Sequence, residues 1–184
     1  MFKFLFKKDP AHDAGQALYA AAVSEARNEA LYLDAGAPDT VEGRFEMVAL
    51  HAYLIMRRLK GDDGVQSSAS KRVSQCLLDA MFANMDDSLR EMGVGDLVVG
   101  KKIRKLGENF YGRIGAYEAA LGSEAPKDNL TKALGRNIFG DEAADGAKRL
   151  TDYVLSVDEV LAAQPITRVE GGIIAFPGYR AEAQ

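Results

Sequence analysis

Between Asp39 and Gly61 the chain reads DTVEGRFEMVALHAYLIMRRLKG, and this stretch limits the fold more than any other. Phe45, Met47, Val48, Leu50, Ala52, Leu54, Ile55 and Leu59 leave few polar positions anywhere on a helical circumference. A helix apolar on all sides cannot sit at a surface, so it has to be the centre of a helical assembly. Asp39 stands where a cap is needed, Glu42 three residues on completes a capping box, and Gly61 supplies the stop.

The flanking segments have the stripes that would cover such a helix. From about Ala14 to Asp34, Leu18, Ala22, Ala26, Ala30 and Leu33 recur at helical spacing, and their small side chains predict close packing. "AGAPDT" breaks the pattern. After the polar loop "GDDGVQSSAS", Val73, Leu77, Met81, Met85, Leu89 and Met92 form a second stripe. Ile103, Leu106, Phe110, Ile114, Tyr117 and Leu121 form a third, with Gly112 and Gly115 placed for close approach of a neighbouring helix. Two more helices are expected, roughly 128–139 with Asp128 as cap and 141–163 ending before Pro165. The expectation is an all-α, single-domain bundle of about six helices. Residues 1–13 read as a basic and aromatic N-terminal segment, 14–164 as the bundle, and 165–184 as a C-terminal arm. In that arm β-branched runs flank Gly171 and Gly172, as in a small hairpin or an extended strand.

Gly95 to Lys101 matches the G-x-x-x-x-G-K spacing of a phosphate-binding loop. That motif needs a preceding strand and a following Ser or Thr to ligate magnesium, whereas here the preceding residues have helical period and Lys102 follows. The economical reading is a helix junction in which Gly93 ends one helix and Asp96 caps the next. Metal chemistry fares no better: Glu46 and His51 are five apart and diverge on a helix, so no Glu-x-x-His pair forms. A lone histidine on an apolar helix reads first as a hydrogen-bonded core residue. With Cys76 the single cysteine, there is no intrachain disulfide and no cysteine zinc cluster. Neither a cofactor nor a resident metal is expected.

Net charge is -4, which argues against a general nucleic-acid coat and against DNA as partner. Local charge differs. Lys101, Lys102, Arg104 and Lys105 fan across the outer face of their helix with Glu108 the nearest acid, and Arg113 lies two turns on. They mark an anionic partner, either a lipid surface or an RNA backbone, against the plainer alternative of a solvated face. The opening MFKFLFKK interleaves phenylalanines with lysines and is open to the same two readings, lipid contact or a frayed terminus. It lacks the length of an export signal, so the expected location is the cytoplasm. Met81, Met85 and Met92 fit a core, and also fit a surface that accepts varied apolar partners.

"APDTVEGRFEMVALHAYLIMRRL", "LLDAMFANMDDSLREMGVGDLVVGKKIRKL" and "FYGRIGAYEAAL" together resemble the ubiquinol-cytochrome c chaperone family, from about Ala26 to Leu121, with "ALGRNIFG" a weaker continuation. The resemblance implies an all-helical, non-enzymatic assembly factor for the cytochrome bc1 complex that engages newly made cytochrome b, or other bc1 subunits, beside a membrane. Mitochondrial members of that family work with a small partner protein and at the ribosome exit. This chain looks like a bacterial form acting at the cytoplasmic face of the inner membrane. A ribosome- or RNA-associated factor using residues 101–105 is the alternative. The family's signature falls here on Pro38, Asp39, Thr40, Gly43, Arg44, Phe45, Leu50 and His51, on Asp86, Leu89, Arg90, Glu91, Gly93, Gly95 and Asp96, and on Phe110, Tyr111, Gly112 and Arg113. Among these and their neighbours, Arg44, His51, Arg90, Glu91, Tyr111 and Arg113 are the candidates for client or partner contact. "NEALYLDAGA" and residues 141–184 depart from the family pattern.

Overall fold

The computed structural model describes residues 9–61 and 65–179, and the basic and aromatic residues 1–8 lie outside it. Its helices are α1 (Pro10–Ala26), α2 (Ala30–Leu33), α3 (Val41–Lys60), α4 (Ser68–Glu91), α5 (Asp96–Leu121), α6 (Pro126–Leu134), α7 (Asp145–Ala162) and α8 (Ile166–Glu170). A single π-turn, Gly135–Phe139, prolongs α6. Among the described residues there is no strand, and no helix is long and apolar enough to cross a membrane.

The all-round apolar character of α3 is explained by its position between two clusters. Leu50, Tyr53 and Leu54 face a cluster built with α2, α6, α7 and the end of α5. Ala49, Ala52, Ile55 and Leu59 face a second cluster built with α1, α4 and Phe110 of α5. Each fully buried leucine or isoleucine contributes about 1.5–3 kcal/mol, so α3 stabilises both halves at once. Tyr53, Arg57 and Lys60 then tie α3 to α5 and α7. The Tyr53 hydroxyl donates to Glu118 at 2.8 Å, and the Arg57 guanidinium spans Glu118 at 2.7 Å and Asp158 at 2.9 Å.

The small-residue stripe of α1 packs on α4, the two running parallel. A Cβ on Gly15 would stand 2.5 Å from Cys76 Cβ, so only glycine admits α4 at that distance. The expected single helix from 14 to 34 is interrupted. Asn28 Oδ1 accepts from the Ala30 amide while its Nδ2 donates to the Tyr179 carbonyl, an Asx-type turn that competes with the helix. Leu33, expected on the buried stripe, is consequently 84% exposed. Upstream, α1 begins at Pro10 with Asp9 as its cap.

Two expected caps move by one residue. Thr40, not Asp39, caps α3 by accepting from the Gly43 amide at 3.0 Å; Asp39 instead binds Arg44 at 2.6 Å. At the α4–α5 corner Gly93 is left-handed as expected (φ 82°), but Gly95 occupies the cap and Asp96 is already helical, its carboxylate accepting from Arg90. Lys101 therefore sits in the second turn of a continuous helix, not in a phosphate loop. Gly112 and Gly115, expected against a neighbouring helix, face open space. Asp128 lies in the first turn of α6, which starts two residues earlier at Pro126.

In the C-terminal arm, Ile166–Glu170 is helical despite its β-branched residues, because Val169 is fully buried and Ile166 packs on the second cluster. Residues 173–179 then cross the seam between the clusters without regular structure. The Gln164 side-chain amide donates to the Ala175 carbonyl and accepts from its N–H, while Ile174 and Phe176 touch both clusters.

Beneath this arm lies His51, fully buried and edge-on to Phe176. Its Nδ1 is 2.7 Å from the Met47 carbonyl, which can only accept, so Nδ1 carries the proton and Nε2 is left as an acceptor 2.7 Å from the Tyr153 hydroxyl, whose single proton is shared between Nε2 and Glu25 at 3.1 Å. Burial pushes the His51 pKa down to about 4. The unfolded chain takes up a proton near pH 6.5 and the folded one resists it, so stability present above that pH is lost on acidification. We expect a loss of about 3 kcal/mol from this group as pH falls from about 6.5 to about 4. Urea midpoints against pH should be flatter for His51→Gln than for wild type; identical slopes would remove His51 as the cause.

Candidate functional site

An open groove of about 1250 Å³ lies at one end of the bundle. Its walls come from elements distant in sequence: the second half of α1 (Tyr19, Val23), residues 38–45, the last turns of α4 (Met85, Leu89, Met92) and α5 (Lys102, Lys105, Leu106). Most of the lining is apolar, as a binding cleft requires. At its lip Leu33, Val41 and Met92 are 84%, 61% and 53% exposed, an apolar edge that water does not favour.

The floor is ionic. Arg113 of α5 reaches Glu46 of α3 in a close pair whose side chains are only 18% and 11% exposed. Burial raises the Glu46 pKa, and the Arg113 charge and hydrogen bond pull it back. An isolated charge here would be costly, so each partner keeps the other soluble in a mostly apolar floor. On the opposite lip, Arg44 lies 5.9 Å from the centre of the Tyr32 ring, and its pairing with Asp39 holds that carboxyl below the usual range. Lys102 and Lys105 line the α5 wall, while Arg27, Glu29, Asp39, Glu42 and Arg44 line the groove elsewhere, so its walls carry charges of both signs.

The groove gathers Arg44, Arg113, Lys102 and Lys105 from the two sequence-derived sets. Lys101 and Arg104 are exposed outside it on α5. Arg90 is held by Asp86 at 2.5 Å and by Asp96, locking the α4–α5 corner. Glu91 is exposed in the last turn of α4, and Tyr111 is 57% exposed beyond the groove, its ring against Phe110. His51 belongs to the core and presents nothing to a client. Tyr19, Val23, Tyr32, Leu33, Glu46 and Leu106 were not singled out by the sequence as site residues. Glu46 and Arg113 are 67 positions apart, and no local spacing announces that pair. Among the described residues no group of three metal-ligating side chains converges.

The groove is suited to holding an apolar segment with a few charges. A family model described as ubiquinol-cytochrome C chaperone matches residues 33–176. A solved structure, the Cbp3 homolog from Brucella abortus, superposes with a TM-score of 0.78 at 36% identity, over 90% of each chain. A mouse protein named ubiquinol-cytochrome c reductase complex assembly factor 1 is 24% identical over 139 residues, 74% of this chain and 45% of its own length. Its Xenopus laevis counterpart is 25% identical over 119 residues, 64% of this chain and 56% of its own. The chain thus spans about half the length of these curated relatives.

Proposed function

Because this chain belongs to the ubiquinol-cytochrome C chaperone family, we propose that it serves assembly of the bc1 complex by holding an apolar segment of newly made cytochrome b in the groove between α1, α3, α4 and α5. The family is one of chaperones rather than enzymes, and the reading includes no chemical step. The observation that carries it is the groove itself, an apolar lining with an exposed apolar lip. A transmembrane segment before insertion exposes the same kind of surface and gains by covering it. The Glu46–Arg113 pair gives the floor a fixed dipole with which the few polar groups of such a segment can register. Action beside the membrane follows from the proposed client's destination; the cytoplasmic face and a small partner protein are further parts of the same proposal.

The test places a photo-crosslinking residue at Leu33 or Met92, both exposed on the lip, in cells making bc1 complex. Cytochrome b is the expected capture. A Leu33→Asp, Val41→Glu double variant should accumulate normally yet restore several-fold less assembled complex to a deletion strain than wild type does. Unaltered bc1 levels in the deletion strain would end the assembly reading. Capture at neither position, with assembly still dependent on the chain, would end the groove as client site.

A further inference from the structure

The α4–α5 corner, which lends Met92, Lys102 and Lys105 to the groove, extends beyond it. Just past the Gly93 turn, Leu97 is 92% exposed and Val98 46%, with Met92 at 53% on the other side of the turn. The next two turns of α5 carry Lys101, Lys102, Arg104 and Lys105, all exposed. Of these cations only Lys105 has a carboxylate within 4 Å among the described residues, Glu108 at 3.7 Å. The acids of the corner are otherwise engaged or turned away. Asp86 and Asp96 are bound by Arg90. Phe82 of α4 faces Phe110 and Gly107 of α5, and at about 100° per residue Glu91 falls on the opposite side of α4 and Asp87 well away from α5.

We infer that this corner is a lipid-docking element, in which Met92, Leu97 and Val98 enter the headgroup layer of an anionic membrane and the cations of α5 meet its phosphates. The spacing supports it. Lys101 to Lys105 stand four to eight residues beyond Leu97, about 6–12 Å along the helix axis, comparable to the ~5–10 Å by which interfacial apolar side chains sit below the headgroups. The amino-terminal end of α5 adds positive potential at the same place. RNA fits less well, since residues 91–106 contain no aromatic ring to stack a base and an RNA backbone would leave Leu97 in water. Met92 belongs both to this corner and to the groove lip, so docking here brings the groove mouth to the bilayer surface from which a membrane-protein client emerges. The inference rests on the membrane adjacency of the proposed function but not on the client's identity.

The experiment is flotation of the full chain with two vesicle types, phosphatidylcholine alone and an equal mixture with phosphatidylglycerol, at physiological ionic strength. Binding is expected to the mixture and to fall as salt rises. Lys101→Gln with Arg104→Gln should weaken it about thirty-fold, from roughly a fivefold loss per surface cation. Leu97→Asn should weaken it about tenfold with all charges intact. Lys148→Glu, exposed at the start of α7, should leave it unchanged. Unaltered far-ultraviolet dichroism and thermal midpoints keep the variants interpretable. Absence of binding to either vesicle, or binding indifferent to both the Leu97 and the charge variants, overturns the inference. So does loss of binding on replacing Phe2, Phe4 and Phe6 by serine while Leu97→Asn binds normally, which would assign the contact to the N-terminal segment. Ribosomal RNA bound through the same cations but insensitive to Leu97→Asn, with no vesicle binding, also overturns it and assigns the patch to RNA. None of these failures bears on crosslinking at the groove.

Discussion

Gly43→Ala is expected to destabilise the protein by about 3 kcal/mol, through overpacking and loss of a cap. Gly43 stands in the first turn of α3, and its amide donates to Thr40 Oγ1. A methyl group there would overlap the Pro38 carbonyl oxygen and lie 2.9 Å from the carbonyl carbon, both backbone atoms that cannot rotate aside. Relief requires the 38–40 segment to lift, which breaks the Thr40 cap and distorts the groove wall. Urea unfolding should show a lower midpoint with an unchanged slope. Gly112→Ala is the contrast: it lies within α5 facing open space, and alanine there should stabilise by about 0.5–1 kcal/mol. Equal effects at the two glycines would refute the steric account.

Arg113→Met is expected to cost about 3–5 kcal/mol at neutral pH, because it strands the Glu46 carboxylate in a nearly dry floor. The cost should shrink in mild acid. Burial already raises the Glu46 pKa with its cation present, and removing the cation raises it further. The folded variant then binds a proton that the unfolded chain does not, so its stability rises as pH falls through that pKa, opposite in sign to the His51 effect. Adding Glu46→Gln should recover most of the loss, since no charge is left buried. A variant equally unstable at neutral and mildly acidic pH would show that lost packing of the arginine stem, rather than a stranded charge, is responsible.

Much of this fold is legible in the sequence because it is written in periodicity. The apolar circumference of α3, the stripes of α4 and α5, the Gly61 stop and the Gly93 turn follow from local chemistry. What local chemistry does not hold is competition between near-equivalent choices. Asp39 and Thr40 are both able caps, and the winner was decided by Arg44, five residues away, taking Asp39. The helix expected through Asn28 gives way because residue 179 supplies a carbonyl for its side chain. Val169 is helical because the second cluster has room for it. The groove was legible only in part. Arg44 and Arg113 are candidates through the family resemblance, whereas Glu46, Leu33 and Tyr19 acquire their places only when four helices meet.

The contact of Gly15 with Cys76 also gives the protein an internal clock. Cys76 is 4% exposed, and burial raises its pKa, so the thiol is shielded and held protonated while α1 lies on α4. A thiol reagent needs the accessible thiolate, and therefore reacts faster in the moments when α1 has swung away. As the single cysteine of the chain, Cys76 gives one labelling rate that counts those openings. Comparing that rate with and without the proposed client segment would tell whether α1, which forms one wall of the groove, lifts when that segment binds.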